Sequence, residues 1–391
     1  MIPALLPNYA RVDVAFERGE GAYLTSTDGR RYLDYAAGIA VDALGHAHPH
    51  LVETLTRQAG RLWHVSNLFR IPEQERYAER LVAATFADSV FFCNSGAEAV
   101  EAALKMARRY HFVNGRPERN RIITAEGAFH GRTFAALAAA NNPKYLEGYA
   151  PALEGFDQVS FGNLNELRAA IGPETAAILV EPVQGEGGVR SADADFLRGI
   201  RAAADEFDLL VILDEVQSGF GRTGRLFAHE WAGIAPDILA AAKGIAGGFP
   251  CGAVLAVEKA AAALTPGSHG STFGGNPLAM AVAGAVLDVM LADGFLAGVE
   301  RIGGRMRAEL EALAARYPTI IAEVRGFGLL LGLRLSETHR NTDFAGKARE
   351  FGLLLAPAAE NVVRVVPPLI IGEAEVEDGI HILDRACRAL A

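Results

Sequence analysis

Cysteine is scarce. The 391-residue chain has three, Cys93, Cys251 and Cys387. They form neither a CxxC pair nor a zinc-ligand spacing, which excludes a disulfide framework and points to unpaired thiols in a reducing compartment. Positive charge is also short: 37 Lys and Arg stand against 47 Asp and Glu, a net charge of -10. Such a body is a poor general binder of nucleic acid and is not drawn to anionic membranes. A site for an anionic substrate must then be made locally, by particular arginines. Long apolar runs are missing too. Leu278–Leu287 is stopped by Asp288, far short of the roughly 20 residues a bilayer requires. Met1–Arg18 carries Pro3 and Pro7 and mixed polarity, not a basic start and an apolar core. No secretory signal is expected, and the chain reads as cytoplasmic.

What is present is ordinary globular material, 50% hydrophobic and 21% charged, which excludes a disordered chain and a collagen-like fibre. Short apolar runs alternate with amphipathic stretches, as in an α/β fold with a largely parallel sheet. The clearest unit is Ala176–Glu181, Asp193–Phe207 and Leu209–Asp214. Its outer runs are continuously apolar, as in strands covered on both faces. Between them, Phe196, Ile200, Ala203 and Ala204 recur at helical spacing. Further strands are predicted at Val90–Cys93, Ile122–Ala125, Ile238–Ala242 and Ala253–Val257. After Pro277 the pattern changes to two helices, Leu278–Met290 and Phe295–Arg316. Strands near Ile320–Arg325, Gly328–Leu335 and Val362–Val366 follow, as in a smaller α+β domain. Near the start, Ala22–Leu24 and Arg31–Asp34 read as a hairpin around Thr27-Asp28-Gly29. The expected division is 1–45 packing with the small domain, 46–277 as the large domain and 278–391 as the small one.

Five segments bear on chemistry. Asn94-Ser95-Gly96-Ala97-Glu98 follows a strand and opens a helix, with capping-box spacing between Ser95 and Glu98. Such an N-terminus suits a phosphate, although an ordinary capped helix looks the same. Asp214 closes a buried strand, where α/β folds place ligands. Its charge needs a partner there: a cationic cofactor ring, a helix cap or a nearby Arg. Lys243 closes the run Ile238–Ala242 ahead of Gly244. Burial would lower its pKa and make it a nucleophile for Schiff-base chemistry, against the alternative of a surface lysine. Gly219–Gly224 matches G-x-G-x-x-G, but Glu215–Ser218 separate it from the strand, so a dinucleotide turn is not expected. His46, His48 and His50 lack further ligands at a metal spacing and read as a loop with polar contacts.

Together, in order and spacing, these blocks resemble the class III (subgroup II) aminotransferases, which use pyridoxal phosphate in the type I fold. The resemblance runs from Gly21 to Leu383. It rests on Gly38–His46, Asn94–Glu98, Phe129–Thr133, Glu181–Gly188, Leu213–Gln217, Gly221–Gly224, Ala242–Gly244, Gly270–Pro277 and Val363–Arg364. The family usually carries Asn where Asp42 stands and often Tyr where Phe129 stands. The resemblance implies a large domain with a mostly parallel seven-stranded sheet plus a smaller α+β domain. It implies that Lys243 holds the cofactor and moves the proton in the transfer, and that Asp214 pairs with the pyridinium nitrogen. Gln217 would bond the ring hydroxyl side, with Glu215 and Val216 in the same cofactor-binding run. Phe129 would stack on the ring. Gly96 and Ala97 would give N–H groups to the phosphate, and Thr272 would reach it from a neighbouring subunit, making the unit a homodimer.

For substrates, the resemblance implies transfer of the δ-amino group of acetylornithine to 2-oxoglutarate, giving glutamate. Arg132 and Ser271 would contact acetylornithine, and Arg364 would take the α-carboxylate of 2-oxoglutarate or glutamate. Glu186 would mask Arg364 when the other substrate is bound. Succinylornithine, a carrier-linked lysine and 4-aminobutyrate remain alternative donors. An NAD-dependent dehydrogenase, suggested by the glycine pattern, is the alternative of a different class.

Overall fold

The computed structural model describes residues 4–391, so Met1–Pro3 of the expected 1–45 segment lie outside the described residues. Its centre is a seven-stranded sheet. In spatial order the strands are Ser89–Cys93, Gly252–Ala256, Ile238–Ala241, Leu210–Asp214, Thr175–Val180, Arg121–Ala125 and Phe156–Val159. Gly252–Ala256 runs antiparallel to both neighbours, and the other pairings are parallel. The exception has a local cause. Between Ala241 and Gly252 the chain makes one short turn, Lys243–Ala246, and a parallel return needs a longer crossover.

The predicted βαβ unit is present as Thr175–Val180, Ala194–Phe207 and Leu210–Asp214. Every residue of both strands is buried. The helix starts where the Asp193 side chain accepts from Phe196 N at 2.6 Å, and it buries Phe196, Ile200, Ala203 and Ala204. The strands Arg121–Ala125, Thr175–Val180, Leu210–Asp214 and Ile238–Ala241 all run the same way. Their carboxyl ends therefore lie along one edge. That edge receives Phe129, Glu181, Asp214 and Lys243 together.

The helices Pro277–Met290 and Phe295–Arg316 follow. Pro277–Met290 is buried on nearly all sides. Among the described residues, no single helix is long and apolar enough to cross a membrane. A second sheet joins Ile321–Phe327, Leu330–Leu335, Val362–Val365 and Ala356–Pro357. A third joins Phe16–Glu20, Tyr23–Ser26 and Arg31–Asp34 to Leu353–Leu354, which pairs in parallel with Arg31–Asp34. The N-terminal hairpin thus shares a sheet with a strand from the far end of the chain. Besides the two-residue strands Val183–Gln184, Arg190–Ser191, Leu353–Leu354 and Ala356–Pro357, two strands went unpredicted, Phe16–Glu20 and Phe156–Val159. Both are sheet edges, and only Val159 among their residues is fully buried, so neither shows a clear apolar alternation. All three cysteines are free and buried. Burial pushes the Cys93 and Cys387 thiols up to about 12, which leaves them inert as nucleophiles.

Candidate active site at the carboxyl edge of the large sheet

A cavity of about 430 Å³ opens at this edge. Lys243, Asp214, Val216 and Gln217 line it, together with Ser95, Gly96 and Ala97. Phe129, Arg132, Glu181 and Glu186 complete the lining described here. The structure thus brings together residues that lie up to about 150 positions apart in the chain.

Lys243 adopts φ 47°, left-handed for a side-chain-bearing residue. Such backbone strain persists only where the surroundings impose it, and it gathers at functional sites. Among the described residues the amine makes no ion pair. Burial lowers its pKa, helped by the Arg364 charge and opposed by Glu186, Asp214 and Glu181. The result is a primary amine readier to act as a nucleophile than an ordinary lysine.

Asp214 is 4% exposed. Its Oδ1 accepts from Val216 N at 3.0 Å, and its Oδ2 lies 2.8 Å from His130 Nδ1. His130 is fully buried, and among the described residues its Nε2 has no hydrogen-bond partner. The next residue, Gly131, has φ 122°, and a Cβ there would come within 2.8 Å of Ala97 Cβ. Glycine at this point lets the Phe129–Arg132 turn close onto the start of the helix Gly96–Val113.

That helix is capped by Ser95 Oγ, which accepts from Glu98 N at 3.2 Å. The Glu98 carboxylate reaches Asn94 N at 2.7 Å, one residue beyond the expected capping-box partner. Among the described residues nothing accepts from the N–H groups of Gly96 or Ala97. Free N–H groups and the helix dipole therefore open into the cavity, an arrangement suited to a phosphate.

Buried Arg364 lies outside this lining and forms a short ion pair through Nη1 with Glu186, which is part of it. The same nitrogen lies 3.3 Å from Gln217 Oε1, and Nη2 donates to Pro357 O at 3.3 Å. Gln217 passes so close to Gly185 that a Cβ there would sit 1.9 Å from Oε1. Arg132, at the open rim, holds its guanidinium 3.9 Å from the Tyr145 ring centre and 5.6 Å from that of Phe129. The aromatic contact orients the side chain and leaves its edge free for an anion.

Besides Arg364, three expected residues lie outside the lining. The Glu215 side chain does not reach the cavity. Its carboxylate accepts from Ala228 N at 2.6 Å and His229 N at 2.9 Å and pairs with His229 Nδ1. The Glu215 side chain is thus a tie to the following turn, while the next residues of the expected run, Val216 and Gln217, line the cavity. Ser271 accepts from Asn94 Nδ2 at 3.2 Å and from Gly274 N at 3.0 Å, beside the cavity but outside its lining. Thr272 is exposed on the same loop. His130, Glu181 and Tyr145 were not singled out from sequence. Glu181 had a signal: like Asp214, it is a carboxylate at the end of a buried strand.

The glycine pattern is no dinucleotide turn. Gly219–Gly224 is a run of turns, and the next regular element is the short Ala228–Ala232. Its Arg222 is buried and donates to Leu329 O at 3.1 Å, fixing the later strands to this loop. Burial pushes that guanidinium down to about 9. Of the histidine run, His46 bonds Asp34 at 2.8 Å and His50 bonds Asp288 at 2.9 Å. Asp34, Asp42 and His46 do converge within 4.8 Å, but Asp34 already accepts from Ala36 N and Ala37 N as well.

Comparison with known proteins decides the family. The model for "Aminotransferase class-III" matches residues 6–387. The chain belongs to the class-III aminotransferases. It is 55% identical to the acetylornithine aminotransferase of Mesorhizobium japonicum over 99% of this chain and 97% of that one. Among solved structures, the ornithine aminotransferase of Toxoplasma gondii superposes with a TM-score of 0.95 at 33% identity, covering 99% of this chain and 93% of that one. The N-acetylornithine aminotransferase of Stenotrophomonas maltophilia gives 0.85 at 40% identity, over 98% and 97%. This aminotransferase is pyridoxal-phosphate-dependent, as its family is. The residues present fit that group. Unpaired N–H groups suit its phosphate, a buried carboxylate suits its ring nitrogen, and an amine of lowered pKa suits its aldehyde.

Proposed function

We propose that this aminotransferase moves the δ-amino group of N2-acetyl-L-ornithine to 2-oxoglutarate. The products are N-acetylglutamate 5-semialdehyde and L-glutamate, in arginine biosynthesis. We further propose that it works as a cytoplasmic homodimer. The acetylornithine reading is supported by the name of the 55%-identical relative and by the Arg364–Glu186 pair at the cavity wall. The free, buried thiols favour a reducing compartment.

Bound pyridoxal phosphate supplies an electron sink for bond breaking at the amine-bearing carbon. Lys243 binds it covalently and then holds and returns the proton at that carbon. Asp214 stabilises positive charge on the ring nitrogen, and Phe129 packs on the ring face. Gly96 and Ala97 hold the phosphate through their N–H groups, and Gln217 bonds the ring hydroxyl side. Arg132 takes the α-carboxylate of acetylornithine beside Ser271, and later the distal carboxylate of 2-oxoglutarate. Arg364 takes the α-carboxylate of glutamate or 2-oxoglutarate, which requires Glu186 to swing away. With acetylornithine bound, Glu186 covers Arg364 and neutralises it. The dimer reading assigns Thr272, exposed in the single chain, to the phosphate of the neighbouring site.

The test is a panel of amino donors with 2-oxoglutarate as acceptor. Acetylornithine should have the highest specificity constant, ahead of ornithine, succinylornithine, a carrier-linked lysine and 4-aminobutyrate. A clear preference for any other donor would replace the substrate in this reading.

A further inference from the structure

Glu181 has no role in the scheme above, yet it lines the cavity. It follows the last residue of the strand Thr175–Val180 and is 5% exposed. Oε1 accepts from Phe129 N at 2.8 Å. Among the described residues it makes no ion pair, and its second oxygen has no hydrogen-bond partner. The charged groups that face it are the Asp214 and Glu186 carboxylates and the Lys243 amine. Glu186 is already paired with Arg364. A second bare anion beside Asp214, in a buried place with no cation of its own, is unfavourable.

We propose that Glu181 is a positioning residue that works as a neutral acid, anchoring the Phe129–His130 turn so that Asp214 is the one anion offered to the cofactor ring. The anchored turn performs two tasks. Phe129, whose N–H is held, presents its ring to the cavity. His130, next in the chain, bonds Asp214 Oδ2 at 2.8 Å. Fixing the backbone at Phe129 therefore fixes the imidazole that orients the Asp214 carboxylate. Burial and the neighbouring Asp214 both push the Glu181 carboxyl well above its ordinary range, and only the Phe129 N–H and Lys243 oppose them. The inference concerns the cofactor site alone and does not depend on which amine is the donor.

The experiment compares holoenzymes of wild type, Glu181→Gln and Glu181→Ala. Glutamine keeps the acceptor for Phe129 N–H and replaces the acid hydroxyl with another neutral donor. Glu181→Gln should therefore hold pyridoxal phosphate within about threefold of wild type, measured by fluorescence on cofactor release. The pH midpoint of its visible absorption band should move by less than about half a unit. Glu181→Ala leaves the Phe129 N–H unpaired and should weaken cofactor binding about tenfold. Infrared spectra of the wild type should show a protonated-carboxyl C=O band that Glu181→Gln lacks. If Glu181→Ala does not fold, the Glu181→Gln midpoint and the infrared band decide alone. Absence of that band, or a Glu181→Gln midpoint moved by a unit or more, would mean that Glu181 is an anion and would overturn the inference. Equal weakening in Glu181→Gln and Glu181→Ala would overturn it as well.

Discussion

Lys243 combines three unusual properties: a left-handed backbone, an amine whose pKa is lowered by burial and, among the described residues, no ion pair. On the proposed role, Lys243→Ala should lose the visible band of covalently held cofactor and nearly all turnover. Borohydride-trappable attachment persisting in that variant would contradict the role. Arg132 is the second residue whose function rests on its surroundings. A surface arginine would be nearly silent on removal. A clamp whose loss leaves a substrate carboxylate unpaired should cost the specificity constant roughly 30-fold or more. Arg132→Lys should recover only part, because an ammonium cannot make the paired contact. Steady-state constants for both substrates, with the cofactor bound, check this. At this scale Lys243 and Asp214 were legible because a charge that ends an apolar strand stands out. His130 was not, because its meaning is a contact to a carboxylate 84 positions away. Tyr145 was hidden in the same way, as an ordinary aromatic that the fold lays against Arg132.

Among elements, periodicity located the interior strands and the helices Ala194–Phe207, Pro277–Met290 and Phe295–Arg316, the last with the predicted limits, but not the helices Pro72–Ala84 and Glu373–Leu390. It did not give the direction of Gly252–Ala256, which is set by the length of the connection before it, nor the sparsely buried edge strands. What locks the central strands in register includes Asp237, at the start of Ile238–Ala241 and 4% exposed. It accepts from Val211 N at 2.8 Å and pairs with Arg201 at 2.7 Å and Lys259 at 2.6 Å. Burial alone would raise its pKa, but the bonds from Arg201 and Lys259 outweigh burial and lower it. The folded state therefore prefers the carboxylate. The stabilisation is complete above the unfolded pKa and is lost as pH falls through the folded one. Asp237→Asn should cost about 2 kcal/mol near neutral pH, since it removes the buried charge that Arg201 and Lys259 share and leaves Arg201 only the more exposed Asp205 at 2.7 Å. The gap to wild type should narrow below about pH 4. Urea unfolding across pH measures both, and a gap that stays constant down to pH 3 would contradict the assignment.

For the whole molecule, the proposed homodimer places Thr272 of one subunit at the phosphate of the other. Mixing Lys243→Ala with Thr272→Ala subunits should then yield heterodimers with one intact site and activity above the sum of the parents. No gain in verified heterodimers would contradict shared sites. The central claim is that one cavity serves two unlike substrates through the Arg364–Glu186 pair. A net charge of -10 makes such a local device necessary, because the body of the protein repels dicarboxylates. Single-turnover kinetics of each half-reaction, with acetylornithine or glutamate as donor, test it most directly. Arg364→Ala should slow the glutamate half far more than the acetylornithine half, and Glu186→Ala should shift preference toward glutamate. Equal losses in both halves for both variants would show that the pair does not switch the site between substrates.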